Sequence, residues 1–520
     1  MAVTDGYSYV VTDANGVYQM TRDSRSRKIY YTTPAEYKIS LDPTRHLPAF
    51  FTDGILLSGV RYRADFSLEP LDAPETEFTL VMIGDPQCYQ ASEANRYVNE
   101  TIKDIKATAN KYPNVYAMTL GDITFDSTNM WETMVGTMSN VQDDGGRYIP
   151  FFQTIGNHDH NSLMPDTDDD AVDDYNAVLE FVKSFGPTDY SFDRGDAHIV
   201  SMDDVVAQSI ASSGKPNGHT WNYSAGFSDE QYEWFKQDLA NVADKGNKVG
   251  FLCLHIPMRA GSNSGSASVN KSRHYADFLK LMKNFKEFHI MIGHTHYQQN
   301  YLHTGYVCTG GCYIYEHVHG AACGAWWASD CNVTGGPNGY CIYTVNGPNV
   351  TNWLMKASNR DENYQMRVYD GNFIYTGTYQ NFNWYSTYTD LRGVSGMNVN
   401  GFAEAKGAFV VEVFNDDSRN WKLEFWQNGA KVGDFTRRAD KGYHNVPVCS
   451  YWINKKGKKT TSWTNSTASH YWYYKPASGD PSSETNWEVR AIHTIPTNTS
   501  QKNTYTCSTL TKDYSGFEKP

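Results

Sequence analysis

The stretch that decides the fold reads FTLVMIGDPQ and spans residues 78–87. Its first six residues form an apolar run broken only by a threonine, which is typical of a β-strand buried on both faces. The run stops at Gly84, and the polar residues Asp85 and Gln87 follow within three positions. Side chains at the carboxyl end of such a strand can reach a crevice at the sheet edge. The stretch therefore predicts a sheet of α/β type with functional side chains at its strand ends.

Four more apolar runs end in the same way. VYAMTL runs into Asp122 and then Asp126, IPFFQTI into Asn157, His158 and Asp159, VGFLCL into His255, and FHIMI into His294 and His296. Because the carboxyl ends of strands in α/β sheets meet in one crevice, we expect these clusters to form a single site. Carboxylate, amide and imidazole ligands suit zinc, manganese or iron, and suit neither an iron–sulfur cluster nor a pure calcium site.

The residue types also indicate how many ions are bound. Two divalent ions about 3.5–4 Å apart can act together on a phosphoryl group when a carboxylate bridges them. Asp122 is the predicted bridge, and the glycines before Asp85, Asp122, Asn157 and His294 are predicted to form the sharp turns that aim these ligands inward. The predicted cofactor is a pair of divalent metal ions, with manganese, zinc or iron as candidates.

Helical patterns separate the strand signals. Apolar residues recur at helical spacing from Val98 to Ala109, Tyr175 to Phe185, Tyr232 to Leu239 and Tyr275 to Phe285, and Ser228 with Gln231 forms a capping box. Alternating strands and helices predict the α/β class for residues 76–358.

The two flanks carry β-signals instead. Asn15-Gly16 lies between two apolar runs and predicts a hairpin, so residues 1–75 are interpreted as an N-terminal β-sandwich-like domain. Residues 359–520 carry no helical stripe and contain strand patterns such as GAFVVEVF, which predicts a C-terminal β-rich domain.

Charge and cysteine content restrict the function further. The 520 residues carry a formal net charge of −13 and no Lys/Arg-rich tract, which disfavours a nuclease or a protein that coats nucleic acid. No apolar run approaches the roughly 18 residues of a membrane span. Five of the nine cysteines fall between residues 308 and 341 without a CxxC pair, which indicates mostly buried thiols, with one disulfide in that cluster as the alternative.

The ordered motifs GD, GDxxxD, GNHD, H and GHTH closely resemble the calcineurin-like metallophosphoesterase superfamily over about residues 76–345. This resemblance implies a four-layer αββα sandwich. It also implies that the first metal is held by Asp85, Asp122 and His296, and the second by Asp122, Asn157, His255 and His294.

The resemblance assigns further roles near these ligands. His158 would protonate the leaving group or stabilise the transition state, with Asp126 as its partner and Asp159 as the alternative partner. Gln87 stands where most of the superfamily has His, and we expect it to bind the first metal through its amide oxygen. The competing interpretation is that Gln87 only forms a hydrogen bond to a group behind the ligands.

The flanks resemble a narrower group. VVTDANGVY, the DPQ form of the first motif, and GAACGAWW followed by GPNGY are similar to bacterial, usually exported phosphoesterases with an N-terminal carboxypeptidase-regulatory-like β-domain. The similarity implies a periplasmic or exported location. Because such proteins normally carry a signal peptide, which this chain does not show, we expect the N-terminal domain to be truncated.

The function expected from these features is hydrolysis of a phosphomonoester or phosphodiester by attack of a metal-bound hydroxide. The substrate would be a small or envelope-derived phosphoester, with predicted contacts at Asp204, His319, Trp326 and Trp327. Support of the fold is the competing interpretation for Asp204, and burial in the core is the competing one for the tryptophans. A non-catalytic protein that binds glycan or cell envelope is the alternative function.

Overall fold

The computed structural model describes residues 1–126, 128–162, 170–211, 219–259, 274–328, 331–332, 334–376, 378–379, 382–383, 403–417, 419–438, 470–496 and 498–511.

The strands in chain order are β1 (Ala2–Thr4), β2 (Tyr9–Val11), β3 (Tyr30–Tyr31), β4 (Glu77–Ile83), β5 (Val115–Leu120), β6 (Phe151–Thr154), β7 (Tyr190–Arg194), β8 (Ala197–Ser201), β9 (Val205–Ala211), β10 (His219–Ala225), β11 (Val249–Cys253), β12 (Glu287–Ile292), β13 (Gln299–Val307), β14 (Tyr313–Val318), β15 (Gly339–Asn346), β16 (Asn349–Ala357), β17 (Met366–Asp370), β18 (Thr378–Tyr379), β19 (Phe382–Asn383), β20 (Phe409–Val413), β21 (Trp421–Gln427), β22 (Ala430–Asp434), β23 (Thr436–Arg437), β24 (Tyr471–Tyr474), β25 (Trp487–Ile495) and β26 (Asn498–Cys507).

The α-helices in chain order are α1 (Ala91–Tyr97), α2 (Lys103–Ala109), α3 (Trp131–Ser139), α4 (Asp170–Ala177), α5 (Leu179–Phe185), α6 (Asp229–Asn241), α7 (Tyr275–Met282) and α8 (Gly371–Thr376). A π-helical turn, Val98–Ile102, joins α1 to α2, and short 3₁₀ turns cover Thr128–Met130, Lys245–Asn247 and Pro481–Ser483.

Two sheets form the centre of the molecule. The five-stranded sheet has the order β16-β15-β4-β5-β6, and the six-stranded sheet has the order β13-β14-β12-β11-β8-β7. Strands β4, β5 and β6 are parallel, and so are β8, β11, β12 and β14. The carboxyl ends of these parallel strands therefore lie along one edge of each sheet, as the strand-end clusters predict.

The alternating direction of the side chains along β4 shows how the sheets and helices are layered. Phe78, Leu80 and Met82 belong to the core cluster shared with the six-stranded sheet, whereas Val81 and Ile83 belong to the cluster formed with helices α1 to α3. Successive side chains of a strand point to opposite faces, so a strand covered on both sides has no polar face. Helices α6 and α7 cover the other sheet through residues such as Trp234 and Phe278. The predicted αββα sandwich is confirmed.

The N-terminal region is a three-stranded sheet of order β2-β1-β3. Its apolar side chains do not form a core of their own, because Val3, Tyr30 and Phe50 belong to the main cluster between the central sheets. The turn predicted at Asn15-Gly16 forms, but the hairpin prediction is wrong. Strand β2 pairs with β1 instead, and the chain beyond the turn leaves the sheet, where the Tyr18 hydroxyl donates to Ala64 O at 2.7 Å.

The C-terminal region contains two four-stranded antiparallel sheets, of order β17-β20-β24-β23 and β22-β21-β25-β26. They enclose a separate core cluster that includes Val368, Val411, Leu423 and Val489. This confirms a β-domain at the C-terminal end. The division at residue 358 stays a prediction, and strands β15 and β16 belong to the central five-stranded sheet.

Two further expectations concern cysteines and membranes. Cys308, Cys312, Cys323, Cys331 and Cys341 are all buried free thiols, and no disulfide occurs among the residues that the structure describes. Among the described helices, none is both long and apolar enough to cross a membrane.

Candidate metal centre

The loops that follow β4, β5, β11 and β12 bring two groups of ligand atoms together. One group contains Asp122, His255 and His294, and the other contains Asp85, Asp122 and His296. Within each group the ligand atoms lie within 4.8 Å of one another. Asp122 belongs to both groups, which is the position that a bridging carboxylate requires.

A hydrogen bond to the backbone of β5 orients the imidazole of His255. Its Nδ1 donates to the carbonyl oxygen of Leu120 at 2.8 Å, which leaves Nε2 to face the other ligands. This Nε2 lies 3.0 Å from Asn157 Oδ1 and 3.3 Å from Asp122 Oδ1. A hydrogen bond from the second ring nitrogen to a carbonyl is the usual way in which proteins fix the tautomer of a metal-binding histidine.

The other group is built around Asp85, whose side chain is fully buried. Both of its carboxylate oxygens accept from the backbone N–H of His294 at 3.0 Å, and its Oδ1 lies 3.5 Å from His296 Nε2. The backbone that carries one ligand therefore holds another ligand in place.

Gln87 completes this side of the centre. Its Nε2 donates to Asp122 Oδ2 at 3.0 Å, while its Oε1 is buried without a hydrogen-bond partner. A buried carbonyl oxygen without a partner costs about 1–3 kcal/mol unless something else satisfies it. A divalent cation held by Asp85 and His296 would do so. The residues present therefore fit a metal ion at this position.

Metal titration of Gln87 variants tests this assignment. We expect Gln87→Ala to weaken the first site about tenfold, a change in the range for groups that tune a metal site. Gln87→His should tighten that site toward zinc, because imidazole nitrogen suits borderline metals better than an amide oxygen does. The measurement is isothermal titration of each variant with zinc and manganese. Titration curves identical to those of the parent protein would remove Gln87 from the ligand set.

The backbone at the ligands is unusual. Asp85, Asp122, His294 and His296 all have positive φ, at 42°, 50°, 68° and 57°. Of the four glycines that precede candidate ligands, only Gly121 lies in this region, with φ at 84°. The ligands themselves carry the left-handed turns, and residues held in such conformations cluster at functional sites.

Gly121 and Gly156 allow neighbouring groups to approach the backbone closely. A Cβ added to Gly156 would lie 2.2 Å from the backbone nitrogen of Asp122, and one added to Gly121 would lie 2.3 Å from His255 Nδ1. Neither neighbour can move without carrying a ligand with it.

We therefore expect Gly156→Ala to displace Asp122 and to lower activity by about 10²-fold, the cost of misplacing a reacting group by roughly 1 Å. Metal content should fall with it, measured by elemental analysis of the purified variant. Gly136→Ala is the matched control, because a Cβ there meets nothing within 4 Å. Equal metal content and activity in the two variants would contradict the steric role.

Burial shifts the pKa values of the side chains at the candidate metal centre. It raises the pKa of Asp85 well above its usual range, and the carboxylate of Asp122 adds to that effect although His255 opposes it. For Asp122 burial acts in the same direction, but His255 and His158 outweigh it and lower the pKa. Burial also lowers the pKa of His294 and of His296 to about 3, so both imidazoles are neutral and able to bind a cation. Two buried carboxylates this close can both be ionised only with positive charge between them, which divalent cations would supply.

His158 lies beside the carboxylate of Asp122. Its backbone N–H donates to Asp122 Oδ1 at 2.8 Å, and its Nδ1 lies 3.0 Å from Asp126 Oδ2, although the angle does not make a hydrogen bond. Asp159, the alternative partner, is occupied elsewhere, because its carboxylate accepts from the backbone N–H groups of Ile123, Thr124 and Gly156 at 2.9–3.0 Å. The geometry thus pairs His158 with Asp126.

Three predicted substrate contacts lie behind the ligands. Asp204 is fully buried and accepts from the backbone N–H groups of His255 and Ile256. His319 is also fully buried, with its ring nitrogens at 2.9 Å from Ile292 O and 3.0 Å from the Tyr343 hydroxyl. Trp327 is 7% exposed and donates from Nε1 to Pro86 O at 2.8 Å. Their role in substrate binding stays a prediction that these contacts do not favour.

Trp326 is placed differently, because it is half-buried and its ring centroid lies 4.4 Å from that of His296. Two aromatic neighbours of the centre were missed from sequence. Phe125 lies 4.4 Å from the ring of His158, and Tyr223 lies 6.2 Å from the ring of His294. Phe125 could have been found inside the GDxxxD motif, whereas Tyr223 belongs to a strand with no motif.

Two Asp/His groups that share one carboxylate at a sheet edge form an arrangement that can hold a pair of divalent cations. Residues 78–298 match the family model described as calcineurin-like phosphoesterase. Residues 1–71 match the model for the N terminal of calcineurin-like phosphoesterase, and residues 316–497 match the model for its C terminal. The chain belongs to the calcineurin-like phosphoesterase family, with extension domains on both sides of the catalytic domain. The Asp/His groups suit a dinuclear metal site.

Solved structures show a more distant similarity. A purple acid phosphatase from yellow lupin (Lupinus luteus) seeds is 16% identical, with a TM-score of 0.35, over 52% of this chain and 50% of that chain. The NAD nucleotidase of Haemophilus influenzae is 11% identical, with a TM-score of 0.26, over 54% of this chain and 49% of that chain. This chain thus spans about half the length of each. Comparison with curated proteins gives no match.

Proposed function

We propose that this protein hydrolyses a phosphomonoester or phosphodiester with two divalent metal ions bridged by Asp122. The observation that carries the proposal is the presence of this one carboxylate in both ligand groups. When bound, two such ions lower the pKa of water and neutralise charge on the phosphoryl oxygens. Asp85, His296 and Gln87 would hold one ion, and Asn157, His255 and His294 the other, with Asp122 common to both.

His158 would protonate the leaving group in the proposed reaction. Burial lowers its pKa, but the carboxylates of Asp122 and Asp126 outweigh burial and raise it above the ordinary value. A protonated imidazole at this position can donate its proton to the ester oxygen as that oxygen leaves. Asp126 would orient the ring from the exposed side and stabilise its positive charge.

The test is a substrate panel run with one metal at a time. Purified protein is loaded with manganese, zinc or iron and incubated with chromogenic phosphomonoesters and phosphodiesters. We expect turnover that a chelator removes and added metal restores. Failure on every ester while elemental analysis confirms bound metal would overturn the proposal and favour the non-catalytic glycan-binding alternative.

A further inference from the structure

Three aromatic rings lie against the imidazoles of the metal centre. Phe125 contacts His158 at 4.4 Å between ring centroids, with an interplanar angle of 44°. Trp326 contacts the ring of His296 at 4.4 Å and 36°. The ring of Tyr223 meets that of His294 edge-on, at 6.2 Å and 86°.

The three rings come from separate parts of the chain. Phe125 follows β5, Tyr223 lies on β10, and Trp326 lies in the segment after β14. All three are half-buried, so each keeps part of its surface exposed to solvent.

The position of Trp326 is maintained against a backbone preference. Trp326 and Trp327 have φ at 49° and 57°, in the left-handed region that bulky side chains rarely adopt. Trp327 stabilises this turn, because its Nε1 donates to Pro86 O and its carbonyl oxygen accepts from Arg96 Nη1. The turn thereby presents the ring of Trp326 to His296.

Within the part of the chain that the structure describes, no Lys or Arg side chain forms a hydrogen bond or ion pair with the side chain of any candidate metal ligand or of His158. The three rings offer apolar surface beside His158, His294 and His296.

We propose that the substrate is a phosphomonoester whose organic part carries a flat, uncharged aromatic ring, as in a nucleoside monophosphate or an arylalkyl phosphate. This inference rests on the proposed function, since the metals must hold the phosphate for the rest of the ester to reach the rings. Phe125, Tyr223 and Trp326 then frame the flat group and stack on it.

The experiment compares esters that share a scissile bond and differ in the ring. One pair is adenosine 5′-monophosphate and ribose 5-phosphate, and the other is 2-phenylethyl phosphate and 2-cyclohexylethyl phosphate. Stacking of a base on an aromatic side chain corresponds to about 10- to 100-fold, so we expect kcat/KM to favour the flat member of at least one pair by that factor. The pair that discriminates identifies a nucleoside or an aryl source. Ratios within twofold in both pairs would overturn the inference.

Variants then connect the preference to the rings. Trp326→Leu and Tyr223→Leu should each reduce the ratio about tenfold at unchanged metal content, whereas Trp326→Phe and Tyr223→Phe should keep most of it. Tyr62→Leu, an exposed ring on the N-terminal region, is the control and should leave the ratio unchanged. If the leucine variants slow both members of a pair equally, the rings serve packing alone and the inference fails.

Failure of the inference can be separated from failure of the proposed function. If no ester is hydrolysed, chromogenic ones included, the proposed function fails. If only chromogenic esters are hydrolysed, the four test esters are measured as competitive inhibitors. Tighter inhibition by the flat members then supports the inference, and equal inhibition constants overturn it.

Discussion

Asp122→Asn is expected to leave neither metal site filled and to lower kcat by more than about 10⁴-fold, beyond the range of losing a general acid. The reason is that Asp122 is the one carboxylate common to both ligand groups. It is 1% exposed and also accepts from the backbone N–H of His158 and from Gln87 Nε2. An amide in its place cannot supply the negative charge that two adjacent cations require.

Asp85→Asn is the matched comparison, because Asp85 occurs in only one of the two groups. We expect this variant to lose about one metal ion per chain while Asp122→Asn loses both, as measured by elemental analysis after gel filtration. Thermal unfolding should show that both variants are folded. A variant at Asp122 that retains two ions and full activity would rule it out as the bridge.

His158→Asn is expected to keep both metals and to lower kcat by about 10²–10⁴-fold, the usual contribution of a general acid. The substitution preserves the backbone N–H that donates to Asp122, so the Asp122 carboxylate keeps this contact. The loss should be largest for alkyl esters, whose leaving oxygen needs a proton, and small for a nitrophenyl ester, whose leaving group departs as an anion.

Asp126→Asn is the companion variant, since Asp126 touches the imidazole but not the metal groups. A smaller loss of kcat with the same dependence on the leaving group would agree with an orienting role. If His158→Asn acts equally on alkyl and nitrophenyl esters, proton donation is not the role of His158. If it lowers metal content instead, the imidazole acts mainly through Asp122.

Some features of the candidate site could be assigned only from the folded structure. The choice between Asp126 and Asp159 as partner of His158 depends on hydrogen bonds to backbone atoms from two different loops. Asp204 was predicted near the substrate, yet its carboxylate is turned toward the backbone of the segment that carries His255. A residue type at a strand end does not reveal which way its side chain turns, because neighbouring loops decide that.

The sequence by itself determined the class of fold, the gathering of Asp and His side chains from four strand ends and the presence of a C-terminal β-domain. These features repeat with the short periods of strands and helices or lie within a few residues of one another, so local geometry dictates them. The tertiary structure decided the direction of the Gln87 oxygen, the left-handed turns at the ligands and the packing of the N-terminal region into the main core. It also decided the placement of Phe125, Tyr223 and Trp326 beside His158, His294 and His296. The physical reason is that these features arise from contacts between segments far apart in the chain, and the packing of the whole molecule selects such contacts.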